Sequence, residues 1–149
     1  SKTVACISLS VLLISSFLVI ANNSAMAEEP SPSVSETSSP SDGVSAASGS
    51  NRFVVWYDDT PGNYEIFFRR STDNGATWKY TRNLSNNADV SNDPQLAVSG
   101  SNIYVVWSDY APGNADILSK RSTDGGAIWK EVRNLSNNSG GSYGPQIAV

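Results

Sequence analysis

The chain repeats itself. Residues 51–98 lie over residues 102–149 without a gap at an offset of 51, and 28 of the 48 positions are identical. Val54-Val55-Trp56 returns as Val105-Val106-Trp107, and Pro61-Gly62-Asn63 returns as Pro112-Gly113-Asn114. Asn83-Leu84-Ser85-Asn86-Asn87 returns as Asn134 through Asn138, and Pro94-Gln95 as Pro145-Gln146. A fixed period of this length points to a propeller or a solenoid, in which each unit hides its faces against its neighbours.

The pattern inside one period separates these two. Gln95 to Val98 is a short apolar run closed by Ser99-Gly100-Ser101, and Ile103 to Trp107 is β-branched and aromatic on both faces. A Pro-Gly loop leads to Ile117–Arg121, and a tight turn at Asp124-Gly125-Gly126 leads to Lys130–Leu135. These are four short strands, A to D, with turn residues between them and no helical spacing. An immunoglobulin-type sandwich needs about 100 residues and seven strands. The expected fold is therefore all-β, built of β-propeller blades of four antiparallel strands. The repeat as aligned runs from strand B of one blade to strand A of a third, so one blade, roughly Asp93 to Leu135, is expected complete. About two blades are present against the four to eight of a closed propeller. Open blade faces and strand edges make such a piece prone to aggregate.

The first 50 residues are of a different kind. Lys2 is the sole charge before Glu28, an apolar stretch runs from Val4 to Ala21, and Ala25-Met26-Ala27 offers a small–x–small exit. Residues 1–27 thus read as a helical secretory signal peptide. The alternative is an uncleaved membrane anchor, although four serines interrupt a run that is near the lower limit of about 18 residues for crossing a bilayer. Residues 28–50 hold nine serines and three prolines and little that could be buried, which reads as a disordered spacer. Residues 51–149 form the repeat domain.

Composition narrows the chemistry. There is no histidine, and the single cysteine, Cys6, lies in the leader, so histidine catalysis, thiol nucleophiles and disulfides have no residues in the repeats. No cofactor or metal is expected, and no acidic run has the spacing of a calcium loop. A net charge of −4 argues against nucleic acid. All ten tryptophans and tyrosines lie beyond residue 55.

The turn between strands C and D holds the most specific motif. Ser71-Thr72-Asp73-Asn74-Gly75-Ala76-Thr77-Trp78 recurs as Ser122-Thr123-Asp124-Gly125-Gly126-Ala127-Ile128-Trp129. The aspartate is expected to accept hydrogen bonds from backbone N–H groups two residues on, the glycine to allow positive φ, and the tryptophan to plug the space between sheets. These residues resemble the Asp-box, S-x-D-x-G-x-T-W, of the bacterial neuraminidase repeat. The resemblance to the sialidase-like propeller superfamily covers residues 51–149. It rests on Ser71, Asp73, Gly75 and Trp78 and on Ser122, Asp124, Gly126 and Trp129, with Ile128 departing from the pattern. In that superfamily the Asp-boxes lie away from the ligand side, so the resemblance implies fold and not activity.

Sialidases use three arginines, a tyrosine with its glutamate, and an acidic proton donor. Asn51-Arg52-Phe53 does not match their first arginine sequence, and Arg70 and Arg82 recur as Arg121 and Arg133, as structural residues do. No residue of this sequence is assigned a catalytic role. Strand alternation places the A–B turns and Asp-boxes at one end and the B–C and D–A loops at the other. In those loops Asp58/Asp109 and Asn63/Asn114 repeat in register, which favours a bracing role. The non-repeating Tyr57, Asp59, Tyr110 and Tyr143 are the candidate ligand-binding set, because aromatic rings beside carboxylates suit sugars. Three Asn-x-Ser sequons begin at Asn83, Asn134 and Asn137. The first two share one repeat position, where a turn kept by the repeat explains them better than glycosylation does.

Two readings follow. One is an exported or cell-surface binding module whose ligand is a glycan or a surface protein, with no nucleic acid and with membrane contact only through a retained leader. The other is a piece of a sialidase-like exo-glycoside hydrolase whose catalytic residues lie outside this chain.

Overall fold

The structure, a computed structural model, describes residues 43–149. The leader and most of the spacer lie outside the described residues. Eight strands follow one another: β1 (Val44–Ser48), β2 (Asn51–Asp58), β3 (Glu65–Ser71), β4 (Arg82–Asn83), β5 (Ser91–Ser99), β6 (Asn102–Asp109), β7 (Asp116–Ser122) and β8 (Arg133–Asn134). They form two antiparallel four-stranded sheets in the orders β1-β2-β3-β4 and β5-β6-β7-β8. No helix occurs among the described residues.

Each sheet is a meander because each turn is made by residues that favour it. The β1–β2 and β5–β6 connections are two residues long and open with Gly49 and Gly100, both at φ 59°. Positive φ at the first loop residue belongs to a hairpin whose twist matches its strands. β2 and β6 are rich in Val, Ile, Trp and Phe, which pack well on a pleated surface. The two sheets keep one register: Ala46 pairs with Phe53 as Ala97 pairs with Tyr104.

Three boundaries differ from the sequence reading. Val44–Ser48, placed in the spacer, is the first strand of the first sheet, so two sheets are complete rather than one. Strand D was expected over Lys130–Leu135, yet β8 is Arg133–Asn134. The segment still touches β7 on either side, Lys130 N–H donating to Arg121 O (2.9 Å) and Leu135 N–H to Ile117 O (2.8 Å). Gln146–Val149, expected to be a further strand A, forms no strand among the described residues.

The core lies between the sheets. Phe53, Val55, Ile66, Phe68 and Leu84 of the first repeat meet Leu96, Ile103, Val105, Trp107 and Leu118 of the second. Trp107, Val55, Ile66, Ile103 and Val105 are fully buried. Burying side chains of this size contributes roughly 1.5–3 kcal/mol each before entropy is counted. The two contacting faces are not equivalent. Phe53 and Val55 align with Tyr104 and Val106, on the face of the second sheet turned away from the first. Ile103, Val105 and Trp107 align with Arg52, Val54 and Trp56, on the outward face of the first. The sheets are thus stacked by translation, front to back.

Polar ties cross the same interface. Arg70 Nη1 donates to Gly125 O (2.6 Å), and Arg82 Nη2 to Ala127 O (2.8 Å). Lys120 Nζ donates to Leu84 O at 2.8 Å. Burial holds this lysine below the ordinary value, with Glu131 opposing the shift. The recurring arginine positions are therefore structural in the first repeat.

Candidate binding surface

The hydrogen bonds sort the connections into two ends. At one, the C–D turns bond to the A–B turns: Asn74 N–H donates to Ser50 O (2.8 Å) and Gly125 N–H to Ser101 O (2.9 Å). At the other, the B–C and D–A loops bond to each other. Ser91 N–H donates to Tyr64 O (2.8 Å), and Asn63 Nδ2 donates to Asp89 O (2.5 Å). The sequence placed these ends correctly.

The end that carries the C–D turns is a closed local network. Ser71 Oγ donates to Asp73 Oδ1 (2.6 Å) and accepts from Gly75 N–H (2.8 Å). Asp73 Oδ1 accepts from Thr77 N–H at 2.9 Å, and its Oδ2 accepts from the Thr77 hydroxyl. In the second copy Asp124 Oδ1 accepts from Ala127 (3.0 Å) and Ile128 (2.9 Å) N–H groups. The carboxylate thus spans three or four residues rather than the expected two, and the serine fills the shorter gap. Hydrogen bonds from Ser71 and Thr77 favour the charged form and hold Asp73 at about 2, below its usual 3.8. The Ile128 N–H and the Ser122 hydroxyl lower Asp124 as well. Loss of the threonine at Ile128 removes only the hydroxyl contact.

The tryptophans of the two copies meet different neighbours. Trp129 packs edge-on against Phe68, with ring centroids 4.9 Å apart, and so fills the space between the sheets as expected. Its Nε1 is buried without a hydrogen-bond partner, so the ring contributes by packing. Trp78 lines an open groove of about 450 Å³ with Ala47, Arg52 and Val54 on the outward side of the first sheet.

At the loop end the repeated residues brace. Asp109 is fully buried and accepts from Trp107 Nε1 (2.7 Å), Ser91 Oγ (2.8 Å), Asn87 Nδ2 (2.9 Å) and Ala111 N–H (2.9 Å). Its counterpart Asp58 accepts from Thr60 N–H (2.7 Å). Asn114 Nδ2 donates to Gly140 O (2.9 Å), as Asn63 does to Asp89. Four bracing positions escaped the sequence reading. Glu65 and Asp116 are nearly buried acids at one repeat position, and they receive Asn87 N–H (2.9 Å) and Asn134 Nδ2 (2.7 Å) respectively. The Asn134 and Ser136 side chains hold Asp116 below its usual value. Asn87 and Asn138 carry the loop crossings. All four repeat in register, and that was the available signal. The Asn134 contact also explains its sequon, since Nδ2 is engaged and Oδ1 accepts from Asn137 N–H (2.9 Å).

The four candidate ligand residues all lie at this end, in two groups. Tyr110 and Tyr143 stand together with ring centroids 6.4 Å apart and are 39% and 63% exposed. Tyr57 packs against Tyr64 at 5.4 Å, a partner the sequence did not single out. Asp59 is exposed, and its carbonyl accepts from Gly62 N–H (2.8 Å), which shapes the loop. Among the described residues no group of three or more acidic, cysteine or histidine side chains forms a cation site. Comparison with known proteins finds no family model that matches this chain and no curated protein that matches it.

Proposed function

We propose that residues 43–149 are two blades of a β-propeller of the sialidase-like, Asp-box type, carried by an exported or cell-surface protein, and that the loop end binds a carbohydrate or protein ligand. The front-to-back stacking of two meanders of the same strand order supports the propeller, because it buries opposite faces of successive sheets. The signal-like leader supports export.

The observation that carries the binding reading is the Tyr110–Tyr143 pair. Repeated residues brace the loops, whereas these two rings replace Asp59 and Asn92 of the first copy and leave their faces toward solvent. A ring with an open face and a hydroxyl rim gives apolar contact and a polar handle together.

A glycan array probed with the full chain, and again with Tyr110→Ala and Tyr143→Ala, tests this. Binding that falls about tenfold in each variant, equivalent to about 1.4 kcal/mol, is expected. Equal binding by parent and variants sinks the assignment of the tyrosines. Release of product from a sialoside by this chain would instead establish an enzyme.

A further inference from the structure

We propose that this chain associates head to tail, the outward face of the second sheet receiving the outward face of the first sheet of another copy. The interface between the two sheets is the template. Its polar ties are each present a second time, one half on each outward side. Arg70 and its acceptor Gly125 correspond to Arg121 and Asn74, and Arg82 and Ala127 correspond to Arg133 and Ala76. Lys120 and Leu84 correspond to Arg69 and Leu135, and Asn87 and Asp109 correspond to Asn138 and Asp58. Arg121 and Arg133 are exposed, and Leu135 is 56% exposed.

The surfaces suit each other in shape and chemistry. A groove of about 550 Å³ on the second sheet is lined by Tyr104, Val106, Arg121, Arg133, Leu135 and Ile147. The first sheet offers Val54 and a stacked Trp56–Phe67 pair, with centroids 5.8 Å apart, and the Trp78 ring. The match is weaker than inside the chain. Ser119 stands where Phe68 stands, Arg52 where Ile103 stands, and Ser45 where Leu96 stands. Association is therefore reversible and depends on concentration rather than obligate. Among the described residues, Gln146–Val149 lies where β1 of the arriving copy would sit, and it holds no ladder. Two different faces in contact make a heterologous interface, which grows into a ring or an open chain. Ring closure rests on the propeller reading, but the pairwise contact does not.

The test is sedimentation of the full chain over a concentration series, with Arg121→Glu/Arg133→Glu disabling one face and Val54→Glu disabling the other. The parent is expected to form a series of oligomers, and each variant alone to be a monomer. An equimolar mixture of the two variants is expected to stop at a dimer, since one intact pair of faces remains. Should Val54→Glu fail to fold by circular dichroism, Arg69→Glu at the same face replaces it. A monomeric parent, a mixture that stays monomeric, or oligomers that survive the arginine swaps (as association through the apolar Val4–Ala21 stretch would) overturns the proposal. In a Cys6→Ser background, a bismaleimide is expected to join Arg121→Cys chains to Asn74→Cys chains and not to one another. The opposite result rejects the contact. Loss of glycan binding by the tyrosine variants leaves these outcomes unchanged, so the two proposals fail separately.

Discussion

The turn after β3 and the turn after β7 have nearly the same sequence and nearly the same hydrogen bonds. In each, a serine hydroxyl donates to an aspartate carboxylate and a glycine N–H donates to that hydroxyl. Their tryptophans nevertheless differ in surroundings: Trp129 fills the space beside Phe68, and Trp78 lines an open groove. Local chemistry sets the shape of the turn, and the neighbouring sheet decides what that shape contributes to stability.

Truncating the rings gives the largest contrast. Trp129→Ala is expected to cost about 2 kcal/mol by denaturant unfolding, below the range for fully buried aromatics because the ring is only partly buried against Phe68. Trp78→Ala is expected to cost under about 1 kcal/mol, and equal losses would break the comparison. Next come the glycines. A Cβ at Gly126 would sit 2.7 Å from Phe68 at φ +83°, whereas one at Gly75 would meet only Trp78, at 3.9 Å, with φ +95°. Gly126→Ala should cost about 2–3 kcal/mol through overpacking and backbone strain together. Gly75→Ala should cost about 1–2 kcal/mol from the backbone alone.

The arginines follow. Arg70→Ala loses a tie to the second turn and is expected to cost about 1.5 kcal/mol. Arg121→Ala, measured on dilute chain, should stay within about 0.5 kcal/mol. The smallest contrast concerns pH. Asp73 is held at about 2 in the fold against 3.8 ordinarily, so the folded state binds that proton less readily than the unfolded chain. Its contribution is complete above the unfolded value and disappears as pH falls from there through about 2. Asp73→Asn should flatten the stability profile in that window, and an unchanged slope would show that the turn does not carry it.

Strands B and C were legible because they concentrate β-branched and aromatic residues and end at Pro-Gly and Asp-Gly turns. β1 was not, because Val-Ser-Ala-Ala-Ser has the composition of the spacer before it. Its signal lay in the repeat, since Ser48-Gly49-Ser50 matches Ser99-Gly100-Ser101 and Ala46 matches Ala97. The edge strand D was overextended because its residues look suitable, while its pairing is limited to Phe67–Asn83 and Phe68–Arg82 in one sheet and to two pairs in the other. At the loop end, repetition separated braces from candidates, and Asp58/Asp109 and Asn63/Asn114 do brace. It could not reveal ring pairings such as Tyr57 with Tyr64, which depend on loop conformation.

The buried Asp109 carboxylate has one more consequence. It fastens the B–C loop at its base, gripping Trp107 on its own strand, the Ala111 N–H of the loop, and Asn87 and Ser91 across the crossing. The tip beyond it is then relieved of any duty to keep the sheets in place. The Asp59 side chain in one copy and the Tyr110 side chain in the other already occupy equivalent places on one frame. Such a frame lets loop side chains differ copy by copy while the architecture stays constant, and it marks these places as positions where foreign residues can be grafted.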